Sequence, residues 1–163
     1  MISIVINEKE ENRIEDFHRR PSDLEDYLSW KREILKRYST MEQYILKEVV
    51  EWFPSPTPKC ETPFQDKDDY KITSNSFPYA IEPDVKHIVV WLKQNLEKDS
   101  LGYLSKEVYR LVDGWVKQTF GADNDVLWFN NSTALRSVAG LEHFHVLLKG
   151  WSDEKFMEFV QKS

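Results

Sequence analysis

Two histidines one residue apart, His143 and His145, lie in the part of the chain richest in reactive side chains, Asp125–Gly150 (DVLWFNNSTALRSVAGLEHFHVLLKG). Phe144, Val146 and Leu148 alternate with His143, His145 and Leu147. An extended backbone therefore sends both imidazoles to one face and the bulky apolar side chains to the other. Side chains at i and i+2 on a strand stand about 6.5 to 7 Å apart, close enough to grip one small group from a rigid platform. An imidazole near neutral pH can donate, accept or ligate. Asn130, Asn131, Ser132, Thr133, Arg136 and Ser137 come just before the pair and add amide, hydroxyl and guanidinium groups, a set that suits an anionic, hydroxyl-rich ligand. The competing reading leaves the pair on the solvated face of an edge strand.

A third imidazole, His87, falls in the run Val85–Leu92, which reads as a buried strand with His87, Val89 and Trp91 on one face. Three histidines with one open position are a known catalytic zinc arrangement, which makes His87, His143 and His145 with Glu142 or Asp84 a metal-site candidate. Glu142 alternates with His143, however, and would face away unless a bulge intervened. The common local signatures are missing: there is no GxxxxGK[ST] loop, GxGxxG turn, GxSxG elbow or HExxH helix.

The elements that must position these groups follow from periodicity. Pro21 and Ser22-x-x-Glu25 read as a capping box opening a helix over 22–38, with Leu24, Tyr27, Leu28, Lys31, Leu35 and Tyr38 as its stripe. Thr40-x-x-Gln43 opens a second helix that carries Ile45, Leu46, Val49, Val50 and Phe53 and is ended by Pro54. Residues 54–71, with four prolines, read as a long loop, either a lid or a surface excursion. Leu104–Phe120 is the cleanest amphipathic helix, stopped by Gly121. Strands at Asp125–Phe129 and 143–149 follow. Trp151 and Phe156 then staple a last helix capped by Ser152. Residues 2–6 could add a short edge strand, and 7–20 read as irregular. The order predicts an α+β fold: a small, mainly antiparallel sheet covered by helices, with an N-terminal helix pair, in one domain over 1–163.

Composition bounds the function. A chain of 163 residues can bury a core, and 13% aromatic residues with six Trp are more than a disordered chain carries. The net charge of −6 argues against a general nucleic-acid or anionic-membrane binder. Cys60 is the sole cysteine, so neither an internal disulfide nor a thiolate zinc cluster can form, and a reducing, cytoplasmic setting is expected. ISIVI at 2–6 is too short for a secretory core, and no apolar run reaches bilayer length.

Two blocks, NSFPYAIEPDVKHIVVW and DVLWFNNSTALRSVAGLEHFHVLL, resemble the fungal N-acetylglucosamine-induced protein family, catalogued as a domain of unknown function. The matching residues are Asn75, Phe77, Pro78, Tyr79, Asp84, His87, Trp91, Trp128, Phe129, Asn131, Ser137, Val138, His143, His145 and Val146. Ser76 stands where the family more often carries Asp. The resemblance implies nucleotide-dependent phosphorylation of N-acetylglucosamine, with magnesium and a pyrimidine nucleoside triphosphate (CTP or UTP) as donor. On that reading Arg136, His143 and His145 contact phosphates, and Asn131 and Ser137 orient phosphate or sugar. Asp84 is then the base or magnesium ligand, His87 joins the binding set, and Tyr79 or Trp91 stacks on base or sugar. Two alternatives stay open. One is a histidine-triad-like nucleotide hydrolase or nucleotidyl transferase, in which a histidine attacks phosphorus. The other is a non-catalytic sugar- or nucleotide-binding module. Oligomeric state is not fixed by any of them.

Overall fold

A computed structural model describes residues 20–77, 83–122, 125–131, 138 and 140–163. Strands β1 (Tyr70–Ser74), β2 (Val85–Leu92), β3 (Val126–Phe129) and β4 (His143–Lys149) form one sheet in the order β1-β2-β4-β3, every neighbouring pair antiparallel. Helices α3 (Lys106–Phe120) and α4 (Asp153–Lys162) cover one face; α1 (Pro21–Leu35) and α2 (Met41–Tyr44, continued by a π-helical turn Ile45–Val49) lie on the other. The α+β architecture with an N-terminal helix pair is as expected.

Strand alternation divides the core. Ile88, Val90, Leu92, Phe144, Val146 and Leu148 point toward α3 and α4 with essentially no exposure, and each contributes about 1.5–3 kcal/mol of burial. The opposite residues of the same strands, His87, Val89, Trp91, His143, His145 and Leu147, share the α1/α2 side. Local signals set most element ends. The Thr40 side chain accepts from Gln43 N–H, Ser105 from Val108 N–H and Ser152 from Lys155 N–H. Gly121 closes α3 at φ 112, a conformation open to glycine.

Several expectations are corrected. The Ser22 capping box does not form: α1 begins at Pro21 with Arg20 at the cap and no side-chain cap bond, so Ser22 lies inside the first turn. The apolar stripe is also rotated. Trp30 and Ile34 pack against the second core, while Leu24, Leu28 and Leu35 stay exposed and the helix stops before Tyr38. The second helix ends at Val49, not at Pro54, and leaves Phe53 half exposed.

The loop expected over 54–71 gives way at Tyr70 to edge strand β1, and it is pinned in place. Fully buried Asp69 accepts from the backbone N–H groups of Lys59 (2.8 and 3.0 Å) and Cys60 (2.9 Å) and from Gln94 Nε2 (3.0 Å). Burial pushes its pKa up, but those N–H donors and the Lys93 ammonium outweigh burial and hold it below the usual carboxylate range. Phe64 stacks on Trp115 of α3 at 4.4 Å, which fixes the middle of the loop. This segment is a buttress and not a lid.

Candidate functional site

β4 is an inner strand, so its histidines are flanked on both sides by neighbouring strands. His87, His143 and His145 are 4, 3 and 7% exposed. The solvated-edge reading of the H-x-H pair is thereby overturned. Register explains the clustering: His145 sits opposite Val89 on β2 and Phe129 on β3, His143 opposite Trp91, and His87 opposite Leu147.

The imidazoles fall into two units. His145 Nδ1 and His87 Nε2 are 2.9 Å apart, and Asn131 Nδ2 lies 3.4 Å from His145 Nε2. An amide nitrogen only donates, so His145 Nε2 accepts, its Nδ1 carries the proton, and that proton is given to His87 Nε2. Asn75 Nδ2 lies 3.4 and 3.3 Å from the two His87 nitrogens, so each ring of the pair has an amide against it. Phe129 stacks on the His145 ring at 4.9 Å and 16°, fixing its plane.

His143 is held differently. Its Nδ1 is 2.9 Å from the Leu141 carbonyl oxygen, which can only accept, so Nδ1 carries a proton. Trp91 lies against it at 4.8 Å, and the His145 ring is edge-on at 5.4 Å. One buried face therefore holds the His143 ring beside a hydrogen-bonded imidazole pair.

The other sequence candidates divide. Asn131 joins the histidines, as anticipated. Trp91 is buried, and its Nε1 donates to Thr73 Oγ1 at 2.9 Å, so it braces His143 and offers no open face for stacking on a ligand. Asp84 is exposed in the turn before β2, where its carbonyl accepts from Gly150 N–H and its carboxylate has no bond to the histidines. It is three residues from His87, roughly 10 Å along a strand. Tyr79, Arg136 and Ser137 lie outside the described residues.

Among the described residues no group of three or more His, Cys, Asp or Glu side chains is arranged to hold a metal ion. The His87–His145 bond gives a physical reason, since it turns one ring nitrogen of each toward the other. Glu142 points away, as alternation requires, and is neutralised by Lys98 Nζ (2.9 Å) and Leu96 N–H (3.1 Å).

Sequence reasoning missed Thr73 and undervalued Asn75. Asn75 N–H donates to the His87 carbonyl (2.9 Å), while its Oδ1 accepts from Phe77 N–H (3.0 Å). The available signal was the period-two row Lys71, Thr73, Asn75 leading out of β1. Phe77 in turn meets Trp30 (4.9 Å) and Tyr27 (5.6 Å), so α1 supplies an aromatic wall next to this turn. Gly140 permits close approach from α2, because a Cβ there would stand 1.8 Å from Glu42 Oε2.

Comparison with known proteins agrees with the fold. The chain is 37% identical over 102 residues to N-acetylglucosamine-induced protein 1 of Candida albicans, covering 58% of this chain and 40% of that protein. It is 30% identical over 118 residues to an uncharacterized protein of Saccharomyces cerevisiae, covering 66% of this chain and 59% of that one. The chain thus spans less than two thirds of either relative. The crystal structure of HTC1 superposes with a TM-score of 0.66 at 25% identity, over 91% of this chain and 86% of that one. No helix among the described residues is long and apolar enough to cross a membrane. With a family model matched across residues 3–149, the chain belongs to the DUF3605 family of proteins of unknown function.

Proposed function

We propose that the buried imidazole face transfers a phosphoryl group from a nucleoside triphosphate, CTP or UTP first among the donors, to a hydroxyl of N-acetylglucosamine or a related amino sugar. The observation that carries the reading is the close set of three buried imidazoles, in which the His143 Nδ1 bond to the Leu141 carbonyl makes Nε2 the ring nitrogen that can take up a proton. His143 Nε2 takes the hydroxyl proton, the sugar oxygen bonds to the γ-phosphorus, and the bond from that phosphorus to the β–γ bridging oxygen breaks, releasing nucleoside diphosphate. His145, positioned by His87 and Asn131, faces the transferring group. Magnesium arrives with the nucleotide in this scheme and neutralises phosphate charge. Exposed Asp84 is not needed as its ligand. Arg136 and Ser137, close in sequence to Asn131, complete the phosphate contacts. The name of the Candida relative supports an amino sugar as acceptor, although it speaks of induction and not of activity.

The test is direct: purified protein, N-acetylglucosamine, magnesium and each nucleoside triphosphate in turn, with sugar phosphate followed by 31P NMR. Product that disappears in His143→Ala supports the proposal, and no product with any donor refutes it. The same lone pair on Nε2 favours a second reading, attack of His143 on phosphorus to give a phosphoramidate. An acid-labile label trapped on the wild type and lost in His143→Ala would select that route. Saturable binding without turnover would leave a binding module.

A further inference from the structure

We propose that the exposed face of α1 joins two copies of this chain as an antiparallel helix pair. Helix α1 buries no residue, and Leu24, Leu28 and Leu35 are 43, 44 and 43% exposed. At about 100° per residue these leucines fall within a 40° sector, with Lys31 completing the row. Trp30 and Ile34, which meet the rest of the fold, lie on the neighbouring sector. The leucine row is thus a second apolar face on a helix whose first is already used.

Charge identifies the occupant. Glu25, Arg32 and Lys36 are exposed and flank the leucines on the side away from Trp30 and Ile34, with the acid toward the start of the helix and the bases toward its end. In an antiparallel two-fold pair each flank meets the same flank of the other copy in reverse. Setting Leu24 of one copy against Leu35 of the other brings Glu25 between Arg32 and Lys36 of the second chain. The contact between Lys36 and Glu33 inside the helix is an exposed pair and is readily exchanged. A parallel two-fold pair would set this flank against the opposite one, where Trp30 and Ile34 already meet the rest of the fold, so the charges pair with one another only in the antiparallel sense. The row is short compared with a permanent interface, and the association is accordingly weak and salt-sensitive.

Sedimentation equilibrium of the whole chain at low ionic strength tests this. Wild type should rise with concentration from 19.4 kDa toward twice that mass, and salt should reverse the rise. Glu25→Lys alone, and Arg32→Glu with Lys36→Glu alone, should each stay at monomer mass with unchanged circular dichroism, while an equimolar mixture of the two should recover the dimer. A wild type that is monomeric at its highest attainable concentration overturns the proposal, whatever covers the leucines instead. So does wild-type-like dimerisation of the charge-reversed chains, or failure of the mixture to associate. None of these readouts depends on the proposed phosphoryl transfer.

Discussion

Exchanging Asp69 for asparagine changes the buttress loop by one charge at almost constant volume. The carboxylate is fully buried, with Oδ2 accepting from Lys59 N–H, Cys60 N–H and Gln94 Nε2 while Oδ1 accepts from Lys59 N–H alone. An amide must place its NH2 at one of these oxygens. The cheaper choice is Oδ1, where Lys59 N–H keeps only its longer bond to Oδ2 and, like the Lys93 ammonium 3.8 Å away, then faces an NH2 instead of a carboxylate oxygen. Hydrogen bonds to a charged acceptor contribute roughly 1.5–3 kcal/mol each, and the three at Oδ2 weaken when the acceptor becomes a neutral amide oxygen. Relief of the buried charge offsets part of this, leaving about 2–3 kcal/mol of net destabilisation. For a chain of this size that is a fall in Tm of about 5–10 °C.

The pH dependence has a definite sign. Burial would raise the Asp69 pKa, but the Lys59 and Cys60 N–H groups, Lys93 and Gln94 bring it below its ordinary 3.8. The stabilisation is therefore complete above the unfolded-state value and is lost as pH falls through the lower folded-state value. Thermal melts of wild type and Asp69→Asn should differ most at neutral pH and converge as pH drops below about 4. A gap of less than about 2 °C at pH 7 would be too small for the energies above, and a gap that widens on acidification would contradict the sign; either refutes the account.

Two further predictions concern elements where sequence and structure part. Thr40→Ala should cost about 1 kcal/mol because its side chain caps Gln43 N–H, whereas Ser22→Ala should be nearly silent; urea midpoints of the two variants compare them directly. Asn75→Ala removes the acceptor for Phe77 N–H and the amide beside His87, so it should cost about 1–2 kcal/mol and move the imidazole 15N resonances of His87 and His145 more than those of His143. Equal shifts at all three histidines would show that the two imidazole units are not separate.

Local rules were enough for much of this protein. Alternation at 85–92 and 143–149 gave both strands and put His143 and His145 on one face of theirs and His87 on one face of its own, because side-chain direction within a strand depends only on position parity. Only the pairing of β2 with β4 brings the three together. Thr40, Ser152 and Gly121 marked helix ends through contacts within one turn. β1 escaped notice because YKITS is a short edge strand with polar residues, recognisable only by its pairing with β2. Helix α1 offers two apolar sectors at helical spacing, and only the tertiary fold chooses Trp30 and Ile34 over the leucines, because the choice depends on Met41, Val89 and Trp91 arriving from elsewhere in the chain. The site divides in the same way. Sequence supplied His143 and His145 on a common face, but the arrival of His87, the burial of all three, the His87–His145 bond and the proton on His143 Nδ1 arise from strand order and a turn carbonyl, which are long-range and backbone facts that residue types do not encode one by one.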